Sequence, residues 1–296
     1  MPSRAYSVRK YSGTQICWRW PTKEYMDLLS IRLTISYKDK PPVLDDLRLD
    51  LHPGEVLGLV GHSGCGKSSL ALAILGLLNL KGGKASGSIR WDGRELLALK
   101  EKEWRKLRGK VISFVPQSPM SALNPALRLS TQMQEAWKLH GQGGSDHMEE
   151  SVFQALRDVG LPATEEFLRR YPSEISVGQA QRVLIGMAIM HRPALLIADE
   201  PTSALDAVTQ AEILALFGEL NRKLGMSMLF ISHDLVSAYG LCHRIALINA
   251  GKIVECNTPH AIFFSPQHAF TRKLIAALPT IPTATEIEHA LRFESL

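Results

Sequence analysis

The stretch Gly61-His62-Ser63-Gly64-Cys65-Gly66-Lys67-Ser68-Ser69 constrains this chain more than any other. One apolar run, Val56 to Val60, precedes it, and another, Leu70 to Leu78, follows it. In that strand–loop–helix setting the pattern G-x-x-x-x-G-K-[ST] is a phosphate-binding loop. The glycines let the backbone turn tightly enough for several N–H groups to face one anion. A helix opening at Lys67 adds the positive end of its dipole. The Lys67 ammonium is placed to reach β- and γ-phosphates, and the Ser68 hydroxyl to join the shell of a Mg²⁺ ion. Gly61, Ser63, Gly64, Cys65, Gly66, Lys67, Ser68 and Ser69 are therefore candidate nucleotide-binding residues. A glycine-rich turn that binds nothing would leave both flanking runs as coincidence.

The remaining composition sets bounds. With 296 residues, 45% hydrophobic and 21% charged, the chain supplies a packed core for one large domain. A formal net charge of +5 is spread thinly, which reads as a solvated surface and not as a nucleic-acid face. Cys17, Cys65, Cys242 and Cys256 show no C-x-x-C or paired spacing, as expected in a reducing interior. No apolar run approaches the length of a bilayer span: His191-Arg192-Pro193 stops Val183 to Met190, and Asn79 stops Leu70 to Leu78. The N-terminus carries charges without the apolar core of a signal peptide. A membrane role is thus expected to come through a partner.

Residues 1–27 are basic and aromatic without period, and a loosely ordered extension is expected there; an interfacial anchor is the alternative. Leu29 to Tyr37 alternates apolar and polar, as does Leu47 to Leu51 before the turn His52-Pro53-Gly54, so an antiparallel β layer precedes the loop. Past a break at Gly82-Gly83 come a strand (Ser88 to Trp91), a charged helix (Glu101 to Arg108) and a short strand (Val111 to Val115). Between about 118 and 190 helix formers dominate, which reads as a helical insertion. Ala194 to Ala198 is a continuous apolar run of buried parallel-strand type. Helix, strand, helix and strand then alternate to Ile248, the mark of a parallel sheet covered by helices. A hairpin at Ala250-Gly251 and two short helices close the domain near residue 278. The Pro/Thr-rich end, 279–296, is expected to be a flexible tail.

A carboxylate pair, Asp199-Glu200, ends the buried run. At the carboxyl end of a parallel strand beside a phosphate loop, Asp199 is placed to hold Mg²⁺ and Glu200 to polarise an attacking water. The alternative is a helix N-cap pair ahead of Pro201, and the pair alone leaves both open. His233 follows the next buried strand on the same sheet edge, as a γ-phosphate donor, an orienter of water or a capping residue. Gln117 ends its own short strand and offers a neutral amide to the metal and the water.

These motifs together resemble the ATP-binding cassette (ABC) ATPases. The phosphate loop, Gln117, Ile175 to Arg182, Asp199-Glu200, Ser203-Ala204-Leu205-Asp206 and His233 stand in that family's order and spacing, over about residues 29–277. Finer stretches look like the ATPase subunits of dipeptide, oligopeptide and nickel importers: Gln117 to Pro125, Tyr171 to Glu174 and Ser265 to Thr271. The resemblance implies an α/β fold, with a P-loop NTPase (RecA-like) core, the β layer and the inserted helical subdomain forming an ABC ATPase domain over 28–278. It implies ATP and Mg²⁺ as cofactors, with Lys67, Gln117, Glu200 and His233 in catalysis and Ser68, Gln117 and Asp199 on the metal. Tyr37 stands where the family stacks an aromatic on adenine, and a strand aromatic packed in the β layer is the alternative. Ser176, Gly178 and Gln179 match the signature loop that caps the nucleotide of an opposite subunit, and Asp206 matches the loop communicating between two sites. The implied partners are a second ATPase subunit, two transmembrane permease subunits and an extracytoplasmic solute-binding protein, with no nucleic acid. The implied location is the cytoplasmic face of the membrane, and the implied function is powering uptake of peptides or a related solute. An ATPase serving a non-transport complex, like the phosphonate-cleaving machinery, is the alternative.

Val177 departs from the family pattern, replacing the first glycine of Leu-Ser-Gly-Gly-Gln. A β-branched residue disfavours left-handed backbone and crowds a phosphate, so two unequal sites in a heterodimer are expected. Cys65, near a helix N-terminus and a lysine, is expected either to fill space or to carry a reactive thiol of depressed pKa. The tail holds no cysteine cluster, so no iron–sulfur centre is expected.

Overall fold

The computed structural model describes residues 27–38 and 40–278. The basic extension and the tail expected from the sequence lie outside these residues, apart from Asp27. In chain order the first half contains β1 (Leu29–Tyr37), β2 (Leu44–Leu51), β3 (Val56–Val60), α1 (Lys67–Ile74), β4 (Gly83–Trp91), β5 (Arg94–Glu95), α2 (Glu101–Leu107) and β6 (Ile112–Val115). A helical stretch follows: α3 (Pro119–Ala122), α4 (Leu129–Lys138), α5 (Ser145–Asp158), α6 (Glu165–Leu168) and α7 (Val177–Ile189). The last part runs β7 (Leu195–Asp199), α8 (Ala207–Leu224), β8 (Ser227–Ser232), α9 (Leu235–Leu241), β9 (Arg244–Asn249), β10 (Lys252–Asn257), α10 (Pro259–Phe264) and α11 (Ala269–Ala276).

The strands form a four-stranded antiparallel sheet, β2-β1-β4-β5, and a six-stranded sheet, β10-β9-β3-β8-β7-β6. The second is parallel from β6 to β9 and ends in the antiparallel β9–β10 hairpin. This is the α/β phosphate-loop fold expected. Its central strands are buried on both faces, which is why they read as unbroken apolar runs. Successive side chains divide between two cores. Leu57, Leu59, Leu195, Ile197, Leu229, Ile231, Ala246 and Ile248 pack with α1 and the antiparallel layer. Their neighbours Val56, Val60, Leu196, Ala198, Met228, Phe230, Ile245 and Leu247 pack with α7, α8 and α9 on the other side.

Local chemistry sets the helix ends. Ser176 and Gln179 close a capping box on α7, each binding the other's backbone N–H at 3.1 Å. Asp206 caps α8, and left-handed Gly225 (φ 64°) stops it. The break expected at Gly82-Gly83 falls differently: Gly82 is left-handed after a 3-10 turn, whereas Gly83 already pairs with Tyr37 as the first residue of β4. The short β5 and α3, stabilised by pairing and packing more than by local pattern, were not separable from their surroundings in the sequence.

Because β3, β6, β7 and β8 run parallel and in register, their carboxyl ends share one edge. The phosphate loop, Gln117, Asp199-Glu200 and His233 all follow those ends. At the opposite end of β3, the fully buried Glu55 is held by the His52 N–H at 2.8 Å and by Arg244 Nη1 at 3.1 Å. Removing the guanidinium would leave a buried carboxylate with the His52 N–H but without the guanidinium's counter-charge. Arg244→Met should therefore cost about 3 kcal/mol and lower the melting temperature by roughly 6 °C or more, read by thermal unfolding.

Candidate functional site

The phosphate loop needs its glycines for different reasons. Gly64 (φ 81°) and Gly66 (φ 101°) adopt left-handed backbone. Gly61 instead allows a close approach, since a Cβ there would lie 2.5 Å from the Ile248 carbonyl oxygen. Lys67 is buried, and its Nζ donates to the carbonyls of Gly61 at 2.7 Å and His62 at 3.1 Å. His62, Ser63, Gly64 and Ser68 are exposed, so the loop presents an open rim above a buried ammonium.

Glu200 gathers the other groups. One carboxylate oxygen, Oε2, accepts from Gln117 Nε2 at 3.1 Å and lies 3.1 Å from His233 Nδ1; the other, Oε1, lies 3.6 Å from Lys67 Nζ. Its backbone is left-handed (φ 47°), and its N–H donates to the Ile231 carbonyl at 2.9 Å, which ties the end of β7 to β8. With Glu200 ionised, the contact requires the His233 proton on Nδ1 and leaves Nε2 as the ring's second polar atom. Neither capping alternative describes these residues: α8 starts at Ala207 behind Asp206, and Asp234, not His233, caps α9.

Asp199 lies beside them. It lies next to the Ser68 hydroxyl, its Oδ1 is buried without a hydrogen-bond partner, and burial raises its pKa above the usual carboxylate range against the opposing pull of Ser68. A buried carboxylate oxygen lacking a partner, next to a serine hydroxyl, is the oxygen donor set a hard cation takes. The residues fit Mg²⁺.

Of the remaining candidates, Tyr37 reaches the phosphate loop, whereas Asp206 and Gly178 make local contacts with α8. Tyr37 is the last residue of β1, half-buried, with its hydroxyl 2.8 Å from Ser69 Oγ; this bridge to the phosphate loop had no signal in the sequence. Asp206 accepts from the Val208 and Thr209 N–H groups at 3.1 and 3.0 Å and from Thr209 Oγ1 at 2.7 Å. Those bonds, the Thr209 N–H foremost, hold its pKa below the usual value. Gly178 abuts α8, because a Cβ on it would fall 2.7 Å from Thr209 Cγ2.

Two sequence expectations need correction. Val177 is the first residue of α7 and is right-handed, so the backbone objection to a β-branched residue does not apply; its side chain, 40% exposed, keeps only the steric effect. The expectation of a reactive Cys65 is also overturned. The residue is 4% exposed, and burial raises the thiol pKa more than the nearby Lys67 lowers it. Desolvation outweighs the lysine and the helix terminus.

A phosphate loop after β3, a histidine after the neighbouring β8 and a carboxylate pair at the end of β7 beyond it define a phosphate-loop nucleotide hydrolase. The model of the ABC transporter family matches residues 44–203. The oligopeptide transport ATP-binding protein OppD of Escherichia coli is 40% identical over 263 residues, covering 88% of this chain and 77% of OppD. The peptidoglycan transport ATP-binding protein YejF of Agrobacterium fabrum is 44% identical over 257 residues, 85% of this chain but only 47% of YejF, so the chain spans about half that relative's length. Among solved structures, the dimeric post-hydrolysis form of the ATP-binding cassette MJ0796 bound to ADP and Pi is similar with a TM-score of 0.66 and 26% identity, covering 78% of this chain and 98% of that one. The chain belongs to the ABC transporter family, and it binds and hydrolyses ATP.

The buried thiol has a direct consequence. At neutral pH its raised pKa leaves less thiolate than an ordinary cysteine has. Peptide mapping after N-ethylmaleimide treatment should show Cys65 labelled at least about tenfold more slowly in the native chain than after denaturation. Equal rates would contradict the placement.

Proposed function

We propose that this chain is the ATPase subunit of an importer for peptides or a related small solute. The convergence of Gln117, His233 and Lys67 on the Glu200 carboxylate, beside Asp199 and Ser68, carries the reading of the site. The transport names of OppD and YejF support the substrate class, and they do not favour a non-transport complex. Among the described residues no helix is long and apolar enough to cross a membrane. The transport names of the relatives support a chain that acts at the cytoplasmic face through permease subunits.

In this reading residues 28–278 form one cassette. The loop from Gly61 to Ser69 cradles the phosphates with its backbone N–H groups, and Lys67 leaves its loop carbonyls to bind the β- and γ-phosphates. Tyr37 stacks on the adenine. Asp199 and Ser68, with Gln117 nearby, would hold Mg²⁺, which when bound neutralises charge developing on the phosphate oxygens. Glu200 accepts the proton of the attacking water, while Gln117 and His233 orient that water and the carboxylate. Ser176, Gly178 and Gln179 close on the nucleotide held by a second cassette, and Asp206 lies between the two sites; that MJ0796 is dimeric with ADP and Pi bound supports the pairing. The helical stretch of about 118–190, entered through Gln117 to Pro125, receives the permease, and an extracytoplasmic binding protein delivers the solute.

Val177 supports an unequal pair. This chain keeps the full set on its own phosphate loop but lends a signature turn carrying an extra isopropyl group. The site on Lys67, Asp199 and Glu200 is then the stronger one in a heterodimer.

Glu200→Gln in the assembled complex should lower turnover about a hundred- to ten-thousand-fold while ATP binding persists, measured by phosphate release and nucleotide titration. Turnover that survives this change, but not the matching change in the partner, would reverse the assignment. Separately, Asp199→Asn should abolish most of the Mg²⁺-dependent gain in nucleotide affinity, measured by titration with and without chelator, and leave metal-free binding within about threefold.

A further inference from the structure

The first turn of α8 touches two other helices with neighbouring residues. On one side Thr209 packs against Gly178 at the start of α7. One turn later Arg182 Nη2 of α7 donates to Glu212 Oε2 at 3.0 Å. Thr209 and Glu212 are three residues apart and so share a helix face. On the other side Gln210 Nε2 donates to Ser237 Oγ at 2.7 Å and to Asp234 Oδ2 at 3.2 Å. Asp234 accepts in turn from the N–H groups of Val236 at 2.9 Å and Ser237 at 3.3 Å, and the Ser237 hydroxyl donates to the same carboxylate. The residue just before this cap is His233, in contact with Glu200.

We propose that Gln210 is a positioning residue for hydrolysis, tying the signature turn, through α8, to the turn that sets His233 against Glu200. This rests on the reading that the signature turn closes on a nucleotide held by a second cassette. Closure there presses on Ser176 to Gly178. The Gly178–Thr209 contact leaves no room for a methyl group between them, so α7 and the start of α8 move together. Gln210 then carries the displacement to the Asp234 cap, through hydrogen bonds of the kind that transmit coupling between packed elements. A glutamine amide suits this position, because it donates to a hydroxyl and a carboxylate at once and does not titrate. Asp234 keeps its own capping bonds without Gln210, so removing the amide loosens the link and spares the helix.

The test is ATP hydrolysis by the full complex. Gln210→Leu removes both bonds and keeps most of the bulk. It should lower kcat about tenfold, with KM for ATP within about twofold and the melting temperature within roughly 2 °C, and reduce the cooperativity of the rate in ATP. An unchanged kcat, or losses in KM and melting temperature alongside kcat, would overturn the proposal. If Gln210→Leu does not fold, Ser237→Ala serves in its place: it removes the closer acceptor and should lower kcat about threefold at unchanged KM, and an unchanged kcat overturns the proposal. A wild-type rate without cooperativity in ATP would defeat the paired-cassette reading and this coupling with it. A cooperative wild type with a fully active variant defeats only the role of Gln210.

Discussion

Everything in the site depends on parallel register. β3, β8, β7 and β6 lie side by side, each strand's residues opposite matched residues of the next, so the chain leaves all of them at one edge. Parallel strands cannot be joined by tight turns, and the crossovers α1, α7, α8 and α9 cover the faces and seal two cores. A shift of one residue would turn each strand inside out and exchange the core assignments of Leu57 and Val56, or of Ile197 and Ala198. Burial on both faces therefore fixes the register, and the register delivers a phosphate loop, an amide, two carboxylates and an imidazole to a common place.

At that place the arrangement is governed by Glu200. Its left-handed backbone, disfavoured for a side-chain-bearing residue, is held by the bond to the Ile231 carbonyl. The carboxylate meets the Gln117 amide and the His233 imidazole on one oxygen and the Lys67 ammonium near the other. Asp199, one residue earlier, points into the sheet edge and is desolvated enough for its pKa to rise. Adjacent acids on one strand end thus acquire different environments, as the proposed division into a metal-holding and a proton-accepting role requires.

The sequence resemblance and the geometry meet unevenly across these residues. Asp206 is a helix cap as well as a match to a communicating loop, and Gly178 is required by Thr209 as much as by any phosphate. Cys65 shows why local electrostatic reasoning failed: a lysine and a helix terminus were visible in the sequence, but the desolvation that outweighs them comes from the packed β layer and sheet. Val177 shows the same for backbone conformation, since the capping box of Ser176 and Gln179 draws the following residue into a right-handed helix.

Amino-acid order alone determined the phosphate loop, the strand alternation of Leu29 to Tyr37, the buried runs of the parallel sheet and the acids and histidine that follow them. These are legible because they rest on local chemistry: glycine conformations, period-two patterning and unbroken apolar strands. Tertiary structure alone decided which oxygen of Glu200 meets which donor, that Tyr37 reaches Ser69, that Cys65 is sealed, and that Gln210 meets Asp234 across 24 residues. Such contacts join side chains distant in sequence, and no residue carries a local mark of the partner it will meet. They come into being only when the two cores close and the strand ends are brought to one edge.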